Sequence, residues 1–410
     1  MDSSARFGPW PKGLNTMAPD PALGRDELRK AINVDILTDG RSRQRPGFTR
    51  GYASSAPTHS VFGFGSVILF VEGSTLKWWN PVQNTFGTLQ TGLQLGARVA
   101  YENVNGSVYW TEGTNTGRID ANLVSTPWGF AVPNAPVVAY ASGGVLPQGQ
   151  YQVLCAYATA LGEESGTSLA TFVTTPSDNC QLNLTSIQQA PAGQGITTIN
   201  VYVSQANGAI AYYHGSVPVG ATTYTIQSTA ATGREARNRF LVKPPPGNLL
   251  TYRRGRILIA AGSVMFLTNP LNYGLYDPSS GYAMMDSTIQ VMRAVTGGVW
   301  LVTLTGTYFL RGDRPEDFTL DRQADFSAPM QKAVDILDDN DVAWLSHRGW
   351  VRGTSEGELK ILGEERVQTN LTYGWAPSIL RESAGHRQTL ALAPGSAKPP
   401  VNATDFNSAF

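Results

Sequence analysis

Between Leu249 and Arg311, short runs of alternating apolar and polar residues recur between glycine-containing turns. The first unit is Arg254-Gly255-Arg256, the run ILIAA, the turn Gly262-Ser263 and the run VMFL. The second is Thr296-Gly297-Gly298, then VWLVTL, Thr305-Gly306 and TYFL. Runs this short, rich in β-branched and aromatic residues and bounded by glycine, predict strands joined by tight hairpins. Gly255 and Gly298 stand 43 residues apart, a spacing typical of a β-propeller blade. The rhythm continues to Asp341 and Gly385. On the N-terminal side Gly65 and Gly106, 41 residues apart, open GSVILFVEGSTLKWW and GSVYWTEGTNTGRID.

One interval breaks the pattern. Gly106 and Gly255 are 149 residues apart, one period plus roughly 107 residues, the size of one small domain. The break begins at the Pro-rich Val132-Pro133-Asn134-Ala135-Pro136 and ends at Lys243-Pro244-Pro245-Pro246-Gly247. Between them, about seven period-two runs separated by Gly, Asn, Ser or Pro predict a β-sandwich. The fold class expected is therefore all-β: a β-propeller of about five to seven blades with an inserted β-sandwich. The boundaries expected are an extended N-terminal arm over 1–30, a first propeller part over 31–132, the insert over 133–243, a second propeller part over 244–395 and a C-terminal tail over 396–410.

The arm carries Phe7, Trp10 and four prolines, which remove donors and favour an extended path over another surface. The one helical pattern is short, around Arg25-Asp26-Glu27-Leu28-Arg29-Lys30. Ala31–Ile36 and Arg41–Arg45 predict a hairpin that would complete the last blade and remove an exposed edge. Alternation on its second strand places Arg41, Arg43 and Arg45 on one face, a candidate basic stripe toward DNA or an acidic partner; an edge-protecting solvated face is the plainer reading. Trp78, Trp79, Tyr101, Tyr109, Trp110 and Trp128 read as packing between blades.

Composition narrows the chemistry. Charged residues are 15% of the chain, and 43 Gly and 25 Pro punctuate it. Formal net charge is zero, so no global field attracts polyanions. No apolar run reaches the ~20 residues of a membrane-spanning helix. The N-terminus has no signal-peptide core, which places synthesis in a cytoplasm. Cys155 and Cys180, both in the insert, read as buried thiols. Neither they nor His59, His214, His347 and His386 have metal-ligand spacing. Glu163-Glu164 reads as an exposed turn whose side chains diverge, and Asp313–Asp317 as a hairpin tip. No catalytic motif is found, so no cofactor and no enzyme activity are expected.

Two resemblances add to this reading. The insert resembles a fibronectin type III-like module through Gly149, Tyr151, Val153, Tyr157, Gly162–Ser165, Asn200, Tyr202, Asn207, Gly208 and Tyr212. The opening of the chain resembles a family of tailed-bacteriophage virion proteins: an aromatic arm leading to Gly-Leu-Asn, then Asn-Val-Asp, then a Gly-Arg-x-x-x-Arg-Pro-Gly hairpin. The matching residues are Phe7, Gly13, Leu14, Asn15, Asn33, Val34, Asp35, Gly40, Arg41, Arg45, Pro46 and Gly47. YRRGRILIAAGSVMFLTNPLNYGLYDP resembles a second stretch of the same proteins. The resemblance implies a β-propeller tail nozzle or DNA-stabilisation component, present in the virion. It would assemble with itself as a ring, expected to be a hexamer, against connector, adaptor and tail proteins, with transient non-specific contact with genomic DNA. A host-receptor or glycan-binding propeller is the alternative, and a polysaccharide hydrolase the third.

Overall fold

The structure, a computed structural model, describes residues 9–31, 34–37, 39–44, 51–328, 334–336, 340–346, 348–362, 378–383 and 386–391. Its strands pair in antiparallel register within small sheets. Among the described residues, five sheets are meanders in chain order. The first is Thr58–Phe64, Val67–Glu72, Thr75–Asn80 and Thr85–Gln90; the second is Ala100–Val104, Ser107–Thr111, Thr116–Ile119 and Ser125–Thr126. The third holds Leu249–Arg253, Arg256–Ala261, Val264–Asn269 and Asn272–Tyr276, with Tyr282–Met284 also paired to Val264–Asn269. The fourth begins at Ile289–Ala294 and ends at Thr319–Ala324; the fifth begins at Val334–Ile336 and ends at Leu359–Leu362.

The turn residues of the recurring pattern occupy one equivalent position. Gly65, Gly106, Gly255 and Gly298 lie in the turn from first to second strand of their sheets, and Asp341 directly precedes the second strand of the fifth. Gly385 lies outside the described residues, as does Trp375.

The faces of these sheets carry the apolar positions and bury them against the next sheet in sequence. Leu69, Val71 and Leu76 of the first sheet share a core with Val108, Trp110 and Ile119 of the second. Tyr109 and Trp128 meet Ile257, Ile259 and Tyr273 of the third. Leu258 and Leu267 meet Leu301 and Leu310 of the fourth, whose Trp300 and Phe309 meet Trp344 and Val351 of the fifth. The first strands of the first four sheets neighbour one another in the same order, and the fifth sheet's first strand lies beside Ser378–Ser383. The packing is sheet on sheet throughout, with indoles filling the gaps. Trp110, Tyr109 and Trp128 are buried as the pattern implied, while Trp78, Trp79 and Tyr101 are half-buried.

Residues 137–226 form a separate pair of sheets. Val137–Leu146, Cys180–Thr185 and Tyr224–Ile226 make one; Thr171–Thr175, Gly149–Thr159, Ile196–Ser204 and Ala211–Pro218 make the other. These seven strands enclose one core, with Tyr151, Val153, Leu182, Leu184, Val201 and Ile226 at its centre. Cys155 is a free thiol inside it, and Cys180 is a buried free thiol at the start of Cys180–Thr185.

The N-terminal stretch departs from expectation twice. Residues 25–30 are not helical; the one helical turn there is a 3-10 turn at Asp20–Ala22. Residues 10–29 also do not run as a simple extended arm but fold back on themselves. Leu28 N–H donates to the Gly13 carbonyl and Asn15 N–H to that of Leu28. Buried Asn15 receives the Met17 and Ala18 amides and donates to Glu27. Arg29 binds the Thr16 and Ala18 carbonyls and Asp20. Glu27 and Arg29, which would sit in a helix's first and last turns, instead hold a loop: Glu27 accepts from the Gly24 N–H and from Asn15, and Arg29 donates to two carbonyls. The following hairpin forms over Val34–Ile36 and Ser42–Gln44. It is a two-stranded sheet of its own among the described residues.

Candidate functional site

A cleft of about 800 Å³ opens where the two-sheet unit of 137–226 meets the second and third sheets. Its floor is aromatic. Trp128 Nε1 donates to the Tyr273 carbonyl at 2.7 Å, and the Tyr109 ring centre lies 5.2 Å from that of Trp128 and 5.6 Å from that of Tyr273. Burial pushes the Tyr109 hydroxyl above its ordinary range, and burial together with Tyr252 pushes Tyr273 up to about 12. These phenols are neutral across the physiological range. Gly129 lets the chain after Trp128 press on the Gly274 carbonyl, where a β-carbon would collide.

The walls come from one strand and one turn. Arg118, on Thr116–Ile119 of the second sheet, donates from Nη1 to Glu163 Oε1 at 2.6 Å. Glu163 lies on the turn that follows Gly149–Thr159, so this ion pair ties the two-sheet unit to the second sheet. Burial opposes the Arg118 charge, and Glu163 and Tyr109 outweigh it, so the guanidinium is held still more firmly protonated. Its Nε is buried without a hydrogen-bond partner. Glu164 turns the other way and accepts from Asn200 Nδ2, from the Tyr202 hydroxyl at 2.7 Å and from Arg234 Nη2 at 2.9 Å. The two carboxylates diverge, as the sequence implied. Glu164, however, is not an exposed turn residue: its side chain is 15% accessible and anchors three partners.

The roof is the segment leaving the two-sheet unit. Asn238 Nδ2 donates to the Ser165 carbonyl at 2.6 Å, and Val242 and Tyr276 exchange backbone hydrogen bonds of 3.0 and 2.8 Å. This segment therefore bonds the unit on one side and the third sheet on the other. Arg237, Asn269 and Asn272 line the cleft, and their side chains make no hydrogen bond or ion pair among the described residues.

The candidate stripe lies elsewhere. Arg41 is exposed and paired with Asp39 at 2.5 Å; Arg43 is exposed on Ser42–Gln44; Arg45 lies outside the described residues. Neither Arg41 nor Arg43 lines the cleft. The cleft's own residues were legible only in part. The run Arg234-Glu235-Ala236-Arg237 reads as a polar linker, and nothing in local pattern ties it to Arg118 or Asn272, which are far away in sequence.

No protein-family model and no curated protein sequence matches the chain. Among solved structures it is similar to the N-terminal domain of Nup159, at 9% identity and a TM-score of 0.30, covering 87% of this chain and 76% of that one. Apo AztD from Citrobacter koseri gives 8% identity and 0.27, over 78% and 87%. The extracellular domain of the putative one component system BT4673 from B. thetaiotaomicron gives 9% and 0.24; the alignment takes in 86% of this chain but only 62% of that domain's length. At these scores the likenesses assign neither family nor function.

Proposed function

We propose that this chain is a structural component of a bacteriophage tail, a subunit of a nozzle or connector-extension ring that lines or closes the channel for DNA ejection. In this reading the five meander sheets and the terminal hairpins are blades of a β-propeller, and residues 133–243 are an inserted fibronectin type III-like sandwich. The ring, expected to be hexameric, contacts connector and tail proteins on its faces and genomic DNA only transiently.

The observation that carries the proposal is what the resembling motif residues do. Asn15 ties the N-terminal loop together from a buried position, Asp35 is buried in the hairpin, and Gly40 accepts a hydrogen bond from Trp10 N–H at its carbonyl. The shared motif thus maintains backbone geometry rather than presenting reactive groups, as a scaffold role requires. Zero formal charge suits a conduit, because each phosphate contact would add affinity and hold the DNA.

Imaging of the intact particle tests the proposal. The expected result is this subunit in a ring coaxial with the DNA path. Finding it off the axis, or absent from the particle, would overturn the reading.

A further inference from the structure

The cleft between the two-sheet unit and the second and third sheets has a composition that narrows what it can hold. Its volume of about 800 Å³ lies within the range of small-ligand sites, which favour domain junctions. Arg118, Arg234 and Arg237 line it alongside Glu163, Glu164 and Glu235, so opposite charges balance and no net field selects an anion. Val242 already occupies the Tyr276 backbone, so an added peptide strand would find the end of this sheet edge taken. What remains open is a set of neutral and forked hydrogen-bonding groups: the amides of Asn269 and Asn272, the Arg237 guanidinium and the Glu235 carboxylate. Two exposed leucines, Leu161 at 89% and Leu271 at 77%, stand at the lining from opposite sides.

We propose that this cleft binds a neutral oligosaccharide. Adjacent sugar hydroxyls each donate and accept, which matches side-by-side amide, guanidinium and carboxylate groups. The apolar faces of the sugar rings meet Leu161 and Leu271. The aromatic floor does not act as a stacking platform: Tyr109, Trp128 and Tyr273 are each at most 8% exposed and pack on one another. Recognition is by hydrogen bonds above that floor, and the inserted unit forms one wall. The site does not depend on where the subunit sits in a particle.

The test uses the purified full chain on an array of neutral glucans, mannans and galactans together with acidic, uronate-bearing oligosaccharides. Retention of a neutral oligosaccharide is expected. Arg237→Ala and Asn272→Ala should each weaken it about tenfold, the loss of one hydrogen bond to a charged or well-placed polar group. Both positions are exposed, so an unchanged melting temperature will separate lost binding from lost folding. Absence of neutral-glycan binding, preference for the acidic sugars, or retention that neither substitution weakens would each overturn the proposal.

Discussion

Arg293 Nη1 lies 3.1 Å from Glu102 Oε2, joining the first strand of the fourth sheet to the first strand of the second. The intervening first strand of the third sheet lies between them, neighbouring both. The pair therefore bridges non-consecutive sheets, on the side where the first strands gather. Burial pushes the Glu102 carboxyl above its ordinary range, and the Arg293 charge pulls it back only in part.

A raised folded-state pKa means that the native protein holds this proton more tightly than the unfolded chain. Glu102 therefore lowers stability as pH rises from the ordinary carboxylate value through the raised one. Glu102→Gln is expected to match the parent below that window and to gain on it above. Arg293→Ala should lose about 3 kcal/mol at neutral pH, because it leaves a buried carboxylate without its cation. Urea unfolding of the three proteins at several pH values measures both effects; a Glu102→Gln protein that loses ground with rising pH would contradict this account.

The two neighbouring glutamates at the cleft are expected to behave differently. Glu163 meets only the half-buried Arg118, and its side chain is 46% accessible, so solvent screens the pair. A double-mutant cycle between Arg118→Ala and Glu163→Ala should give a coupling of about 1 kcal/mol or less. Glu164→Ala leaves Asn200, Tyr202 and Arg234 without their shared acceptor and should destabilise by about 2–3 kcal/mol. Equal effects at the two positions would mean that the burial difference is not what matters.

The repeat was legible because each sheet needs the same tight turn after its first strand, and tight turns leave glycine or Asx residues in the sequence. Gly65, Gly106, Gly255 and Gly298 mark that turn without help from tertiary contacts. The sheets of residues 137–226 were legible for a related reason: strands covered on one face alternate. The loop over 10–29 was not legible, because Glu27 accepts from the Asn15 side chain 12 residues away and Arg29 donates to the Thr16 carbonyl 13 residues away, which no local pattern encodes. The cleft was hidden for the same reason on a larger scale. Arg118 and Glu163 are 45 residues apart and belong to different units.

Gly40 holds the N-terminal loop to the hairpin. Its φ is +79°, and a β-carbon there would lie 2.6 Å from the Pro11 nitrogen and 2.9 Å from the Trp10 nitrogen. Gly40→Ala combines a left-handed conformation, which costs an L-residue about 1–2 kcal/mol, with a backbone collision that no side-chain motion relieves. Release of the loop is the expected outcome. Limited proteolysis should cut the variant within residues 9–31 faster than the parent, while the sheets beyond residue 58 remain protected. Identical cleavage rates would show that the loop is held by other contacts.

The two thiols should be silent in the folded protein. Cys155 is 1% exposed and burial pushes its thiol up to about 12; Cys180 is 4% exposed. The thiolate is the reactive form; Cys155 does not supply it near neutrality, and burial shields Cys180 from a reagent. An aromatic disulfide reagent at pH 8 is expected to titrate no thiol in the native chain and both in denaturant. Prompt reaction of one thiol under native conditions would indicate opening of the core between the two sheets.

Two strand glycines offer a comparison in which the same substitution should change sign. Gly117 pairs with Trp110 across adjacent strands of the second sheet, and Gly87 pairs with Trp78 in the first. In each case the indole lies over the glycine: an added β-carbon would stand 2.5 Å from Trp110 Nε1 or 2.6 Å from Trp78 Nε1. Alanine also relieves the strand of glycine's entropy, a gain of roughly 0.5–1 kcal/mol. Trp110 is 2% exposed and locked between the first and second sheets. Its ring has nowhere to go, and Gly117→Ala should lose about 1–3 kcal/mol to overpacking. Trp78 is half-buried, so its ring can swing outward, and Gly87→Ala should be neutral or slightly stabilising. Thermal unfolding of the two single variants decides the matter. Equal losses would mean that the indole of Trp78 is as firmly held as that of Trp110, and that the first sheet's outer strands are packed more tightly than their exposure implies.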